Sequence, residues 1–374
     1  MTFFGVRART RVAAGCLALI AAMAIAACGS SSSSSSSSTS AASSGASGGG
    51  ASSSQTSATA GTKTVNIAYL LATEEAGYPL GMKAAAEAVA SQYHAKIQFF
   101  DAEFNPATQV AQCEDAITRG TFQAIVALPA ASPPMDVCAR LALQHHIPLI
   151  STNTPVGDNL SQIAPTVPGV TSQVLVPAIT YFGPNPHDGS GQLLPAMCHQ
   201  VKGTCRVAFI IGNAALALTS PAEAAVKRLA AQHGWQVVGT CAGNYQRQGG
   251  ATCMQNLLQK APNLNVVMSL SDDMAQGATE VLERAGKVLG KQVLIGTQGG
   301  SYEGVPLIRA GKWYGSIISP AQPEGAIPVQ LAAEAATGKK VPSAVNPLLA
   351  VHLPLVFDQQ NKNQYPSFKG YFHA

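Results

Sequence analysis

The chain has 374 residues, enough for two domains beyond its N-terminal region. It carries 23 Lys and Arg against 19 Asp and Glu, a formal net charge of +4, but Arg7, Arg9 and Arg11 account for three of those cations and leave the rest near +1. A nearly neutral body without a basic stripe excludes nucleic acid and other polyanions as partners.

The three arginines precede a 16-residue apolar run, VAAGCLALIAAMAIAA at 12–27. That is slightly short of the ~20 residues a membrane span requires. A basic region, a short apolar core and small residues at its end are the layout of an export signal. The ending, IAAC at 25–28, resembles the lipobox of bacterial lipoproteins, where the chain is cut before the cysteine and the thiol is lipidated. Residues 1–27 are therefore expected to be a lipoprotein signal peptide, with Cys28 the lipidation (palmitate) site. The competing reading is an uncleaved anchor, and both place the remainder outside the cytoplasmic membrane. Residues 29–62 contain only Gly, Ser, Ala, Thr and one Gln. With nothing to bury, the segment 28–62 is expected to be a disordered tether, with an r.m.s. reach of roughly 30 Å.

From residue 63 the pattern changes. TVNIAYLL, KIQFFDAE, FQAIVALPA and IPLISTN are short β-prone runs. Between them GMKAAAEAVASQY, PATQVAQCEDAITRG and PMDVCARLALQHH have helical composition and spacing. Strands alternating with helices of this length predict a parallel sheet flanked by helices. The order then repeats about 140 residues later, from CRVAFIIG through PAEAAVKRLAAQH, WQVVGTCA, GGATCMQNLLQKA, NVVMSLSDD and MAQGATEVLERAG to KQVLIGTQ. An internal repeat of this kind predicts two similar α/β lobes, each with its own sheet. The linking stretch TSQVLVPAITYFGPNPHDGSGQ is expected to hold a crossing strand and a surface loop, and GSIISPAQPEGAIPVQLAAEAATGKK another strand and helix. Several crossings between lobes make a hinge, and a hinge implies closure around a ligand.

Apart from Cys16 and Cys28, six cysteines remain: Cys113, Cys138, Cys198, Cys205, Cys241 and Cys253. An even number in an exported chain points to disulfides. Fifteen connectivities are possible for six cysteines. Nearest-neighbour pairing is favoured because each pair falls within one local supersecondary unit. No C-x-x-C or His/Cys spacing supports a zinc site, and neither a metal nor a cofactor is expected.

Ligands of open parallel sheets bind beyond the carboxyl ends of the strands, where helix N-termini offer free N–H groups. The candidate ligand-binding residues at or near those ends are Glu75, Tyr78, Asn153, Asn213, Tyr245, Ser271, Asp272, Gln298 and Ser319. They are mostly small or polar, with aromatic rings for apolar faces, which suits a small polar molecule. Each has a structural alternative. Asp272 or Asp273 can cap the helix that follows, and Gln298-Gly299-Gly300 can be only a turn.

The lipobox, the Ser-rich tether and the two β/α lobes resemble a substrate-binding lipoprotein of an ABC importer, of the ribose/galactose (type I) periplasmic-binding type. DAEFNPATQ is similar to that family's D-x-x-x-[ND]-P-x-x-Q stretch, SDDMAQGA to its N-D-x-M-A-x-G-A, and VLIGTQGG to its V-x-G-x-D-G. The resemblance implies a non-enzymatic receptor that captures a small sugar-like or other neutral polar solute between its lobes and delivers it to a membrane permease and ATPase. It further implies a lipid-anchored monomer on the outer face of the cytoplasmic membrane. The lobes are expected at 63–168 plus 320–347 and at 169–319 plus 348–374. Departures from the family pattern fall at the ligand positions. Asn153 and Thr154 stand for Asp-Arg, Ser271 for Asn, and Gln298 for Asp. Amides and hydroxyls thus replace charge-assisted partners, which leaves a ribose- or galactose-like ligand and a neutral or differently polar small molecule both open. A sensor handing ligand occupancy to a membrane partner is the alternative of the same fold. An exported enzyme fits less well, since no G-x-S-x-G, metal-ligand cluster or phosphate loop is present.

Overall fold

The computed structural model describes residues 64–374 apart from 184, 214, 215 and 217. The signal, Cys28 and the tether lie outside the described residues. The first repeat runs β1 (Val65–Leu71), α1 (Gly77–Ala90), β2 (Ala95–Asp101), α2 (Pro106–Thr118), β3 (Ala124–Ala127), α3 (Asp136–Gln144), β4 (Leu149–Thr152) and β5 (Val170–Val174). Helices α4 (Ala178–Phe182) and α5 (Gly189–Cys198) lead to the second. It runs β6 (Arg206–Ile211), α6 (Thr219–His233), β7 (Gln236–Ala242), α7 (Arg247–Lys260), β8 (Val266–Ser269), α8 (Asp272–Arg284), β9 (Leu294–Gly299), α9 (Gly304–Arg309) and β10 (Gly315–Ile318). Then follow α10 (Ala321–Ala336), β11 (Ala344–Val345) and β12 (Val356–Asp358).

The two sheets have the orders β11-β5-β4-β3-β1-β2 and β12-β10-β9-β8-β6-β7. All neighbours are parallel except β10 and β12. Central strands of such a sheet are covered on both faces and so read as continuous apolar runs. In β1, VNIAYLL is buried at every position but Asn66. The repeat is close, because β6 and β7 start 141 residues after β1 and β2. In both sheets the first strand lies between the second and the third, so the order reverses there and leaves a crevice at the strands' carboxyl ends.

Local sequence sets the helix starts. Asn105 caps α2 by accepting from Ala107 N at 2.9 Å and Thr108 N at 3.2 Å, with Pro106 at the first helical position. Ser271 caps α8, its Oγ accepting from Met274 N at 3.1 Å.

The chain changes sheet after Val174, after Ile318 and after Val345. The first crossing is later than the expected boundary at 168/169, because β5 pairs in parallel with β4 and is therefore a strand of the first sheet. The linking stretch 171–192 holds most of β5, α4 and the start of α5, with residues 185–187 exposed between the two helices. The disulfides pair Cys113 with Cys138, Cys198 with Cys205 and Cys241 with Cys253.

Loop closure makes the first disulfide the most stabilising, as it spans 25 residues against 7 for Cys198–Cys205. Chain-entropy estimates give about 3.5 and about 2.4 kcal/mol respectively. Replacing Cys113 and Cys138 together by Ser should therefore lower the urea midpoint more than replacing Cys198 and Cys205. The reverse order, or no change in either, would contradict this pairing.

Candidate functional site

The two crevices face each other, and three contacts join their rims. Helix α1 has no side-chain cap of its own at Ala76. Its first N–H, on Gly77, donates instead to Asp273 Oδ1 of the other lobe at 3.3 Å. Asp273 thus lies at the positive ends of both α1 and α8. Gln246 Nε2 donates to Glu75 Oε2 at 3.2 Å. The rings of Phe104 and Tyr245 stack across the gap, with centroids 5.9 Å apart and planes at 27°.

Phe104 and Tyr245 occupy equivalent places, 141 residues apart, just beyond β2 and β7. Each is preceded by another left-handed residue: Glu103 and Phe104 have φ of 50° and 55°, Asn244 and Tyr245 of 53° and 60°. Such a conformation costs of order 1–3 kcal/mol per residue. A stacked aromatic pair returns only about 0.5–1.5 kcal/mol, so stacking alone does not offset it. The loops are held by the sheets. Phe104 N donates to Ala72 O at 2.7 Å and Gly243 N to Ile211 O at 2.9 Å. Strain kept at matched positions facing one crevice makes that crevice the candidate site.

Between the lobes lies a narrow cavity. Its aromatic wall is Tyr78, Phe104, Tyr245 and Phe372. Its apolar wall includes Leu128, Leu216, Leu218 and Leu270. Its polar groups come from Asn153, Thr154, Ser271, Asp273, Gln298 and Ser319. No Lys, Arg or His is among the described residues lining it.

Of the nine residues expected from the sequence, the structure brings six to this cavity: Tyr78, Asn153, Tyr245, Ser271, Gln298 and Ser319. Glu75 is exposed at the rim, engaged with Gln246. Asp272 is fully buried behind the wall, where Oδ2 accepts from Gly300 N at 3.0 Å and Ser301 N at 2.8 Å. It shapes the turn after β9 and does not reach the cavity. Asn213 stands outside the lining, its carbonyl accepting from Thr219 Oγ1 at 2.7 Å. Helix capping, weighed for Asp272 and Asp273, is the work of Ser271. Beyond the expected set, the lining also includes Phe104, Phe372 and Asp273. A signal for Phe104 existed, since it is the repeat partner of Tyr245.

Behind Tyr78 and Asn153 sits Glu324, fully buried near the start of α10, just past the second crossing. Its Oε2 accepts from the Tyr78 hydroxyl and from Asn153 Nδ2, the latter at 2.9 Å. Its Oε1 has no hydrogen-bond partner. Burial pushes the Glu324 carboxyl up to about 7, against the lowering by those two hydrogen bonds. The phenols of Tyr69, Tyr78 and Tyr181 are all raised, first by burial and then by the charge of Glu324. Burial likewise pushes Asp273 up to about 6, with the hydrogen bond from Gly77 opposing it. Among the described residues, no group of three His, Cys, Asp or Glu could hold a metal ion.

Residues 67–340 match the family model described as the periplasmic binding protein domain. The chain is 25% identical over 289 residues to the ribose import binding protein RbsB of Salmonella typhimurium, covering 76% of this chain and 89% of that protein. Solved structures share the fold. An ABC-transporter solute-binding protein of Mycobacterium smegmatis with bound glycerol superposes with a TM-score of 0.68 at 22% identity, over 83% of this chain and all of the other. One from Bacillus halodurans with bound myo-inositol gives 0.67 at 21%, over 82% and 99%.

The raised Glu324 carboxyl fixes the sign of a pH effect. Below its ordinary value of 4.5 it is protonated in both folded and unfolded chains, and its contribution to stability is fully present. As pH rises to about 7 the unfolded chain ionises first and that contribution is lost. The loss is on the order of 3 kcal/mol. Glu324→Gln should flatten the fall in stability between those pH values and leave the variant relatively more stable at pH 8. Denaturation at pH 5 and pH 8 measures it, and parallel pH profiles for the two proteins would refute a buried, proton-binding carboxyl.

Proposed function

Because the chain belongs to the periplasmic binding protein family, we propose that it is an extracytoplasmic solute receptor of an ABC importer. It closes its two lobes on one small neutral molecule and presents the closed form to a permease. The observation that carries this reading is the cavity between the strand ends. Both lobes supply its wall, with amides and hydroxyls beside aromatic rings, the carboxyl of Asp273 and, among the described residues, no cation.

The wall also selects a ligand class. Asp273 lines the cavity and no Lys, Arg or His is among the described residues lining it, so an anionic ligand would find a carboxyl and no counter-ion. Asn153, Ser271, Gln298 and Ser319 offer donors and acceptors to neutral hydroxyls. Four aromatic residues and four leucines give the cavity more apolar surface than a fully hydroxylated ring needs. A compact neutral sugar or cyclic polyol with one apolar face, such as a deoxy sugar, fits this combination. The ribose-binding relative and the glycerol- and myo-inositol-bound structures support a neutral polyhydroxyl ligand. Anchoring through a lipidated Cys28 fits the signal and tether, and would hold the receptor near its permease.

A thermal-shift panel of neutral sugars, deoxy sugars, cyclic polyols and sugar acids tests the ligand class. A ligand at 100 times its Kd adds about 2.7 kcal/mol. A response confined to sugar acids would overturn the class. Tyr245→Ala and Gln298→Ala should each weaken the responding ligand's binding at least tenfold with little loss of stability, and unchanged affinity in both would place the site elsewhere. For the anchor, Cys28→Ala should leave the protein unprocessed or free of the membrane; normally processed, membrane-bound protein would exclude lipidation at that residue.

A further inference from the structure

The last residues of the chain return from the second sheet to the first lobe, beyond the end of the family match at residue 340. Their start is pinned to the second lobe. The Arg309 guanidinium, at the end of α9, donates to the carbonyls of Lys362, Tyr365 and Phe368 at 3.0, 2.7 and 2.9 Å. The chain then runs along the turn after β9, with Tyr371 N donating to Gly300 O at 2.9 Å and Tyr302 N to Phe372 O at 2.8 Å. Ala374 N donates to Glu303 Oε2 at 2.9 Å, and Gln276 Nε2 to Ala374 O at 3.0 Å. All of these partners belong to the second lobe.

The side chain of Phe372 points the other way. It is 3% exposed and packs edge-on against Tyr78 of the first lobe, centroids 5.4 Å apart at 88°. Helix α1 is shaped to receive it. Gly77 and Gly81 stand four residues apart on one face. A Cβ at Gly77 would overlap the carbonyl oxygen of His373, and one at Gly81 would lie 2.5 Å from Phe372 Cβ. Glycine inside a helix costs roughly 1 kcal/mol relative to alanine, so helix propensity does not explain Gly81, an interior position of α1, whereas a groove for the tail explains both glycines. The same Phe372 ring lines the interlobe cavity.

We infer that the C-terminal tail completes the ligand site: Phe372 is carried on a strap fastened to one lobe, seats in the Gly77–Gly81 groove of the other, and closes the cavity as part of its wall. The tail is then a fourth connection across the cleft, and opening must draw Phe372 out of its groove. This inference rests on the reading of the cavity as the solute site, but its test needs no solute.

The test is the rate at which a polar thiol reagent labels a cysteine placed at Ala72, a cavity-lining residue that is 2% exposed. The full chain carrying Ala72→Cys is compared with the same chain bearing Phe372→Ala or ending after Gly370, with labelling read by mass spectrometry of the peptide holding residue 72. Both changes should raise the rate at least tenfold, while Leu349→Ala, at a residue 83% exposed, should not. Gly81→Ala provides an independent arm that leaves the tail intact. If the tail is seated as described, it unseats Phe372, speeds labelling and lowers Tm despite the better helix former. A raised Tm with unchanged labelling would overturn the inference, as would unchanged labelling on removing the tail. Failure of the solute panel would count against the proposed ligand class and leave this result standing.

Discussion

The site depends on one topological constraint: in each sheet the first strand lies between the second and the third. Helices must then leave toward opposite faces, and the strand ends between them stay uncovered. One such sheet makes an open crevice. Two of them, built from a repeat offset by 141 residues and held face to face by three crossings, make an enclosed one. The groups that would otherwise be orphaned there are shared between lobes. Gly77 N–H, at an uncapped helix start, finds a carboxylate from the other half of the chain. The closed arrangement therefore satisfies the backbone, and opening returns that donor to water.

The same constraint explains how much was legible in sequence. Strand ends are local features, so Asn153, Ser271 and Gln298 could be read from apolar runs that stop at a polar residue, and they do meet at the cavity. The roles within that set were less legible. Ser271 and Asp272 are adjacent, yet one caps α8 and the other fixes the turn beyond β9, a choice set by the contact with Gly300 and Ser301 some 28 residues away. Glu324 gives no local hint at all. It lies inside α10 in a run of small residues, and only the second crossing brings it against Tyr78 and Asn153. Phe372 is further still from any strand end. The boundary at β5 was misplaced for a related reason, since a five-residue strand rich in Pro and Gly neighbours reads as a linker until its partner β4 is known.

Glu324 joins site and hinge in one electrostatic unit. A carboxyl without a cation nearby is costly to ionise in a buried setting. Its partners, Tyr78 and Asn153, line the cavity, while its own backbone carbonyl accepts from Thr152 Oγ1 at 2.7 Å at the end of β4. The segment that enters α10 from the second lobe is thereby tied to the floor of the ligand site. On the proposed reading, a ligand hydrogen-bonded to Asn153 would compete with or reinforce the Asn153–Glu324 bond, so occupancy would be felt where the chain crosses between lobes.

Closure in a two-lobed receptor requires that the ligand bind the closed form better than the open one. The contacts across this cleft include one long N–H to carboxylate bond, one exposed amide–carboxylate pair and two aromatic contacts, Phe104 with Tyr245 and Tyr78 with Phe372. A hydrogen bond to a carboxylate contributes about 1.5–3 kcal/mol and an aromatic stack about 0.5–1.5 kcal/mol. In a receptor of the proposed kind, a cavity that draws its wall from both lobes, and from a tail belonging to one and seated in the other, would convert each ligand contact into a contribution to closure.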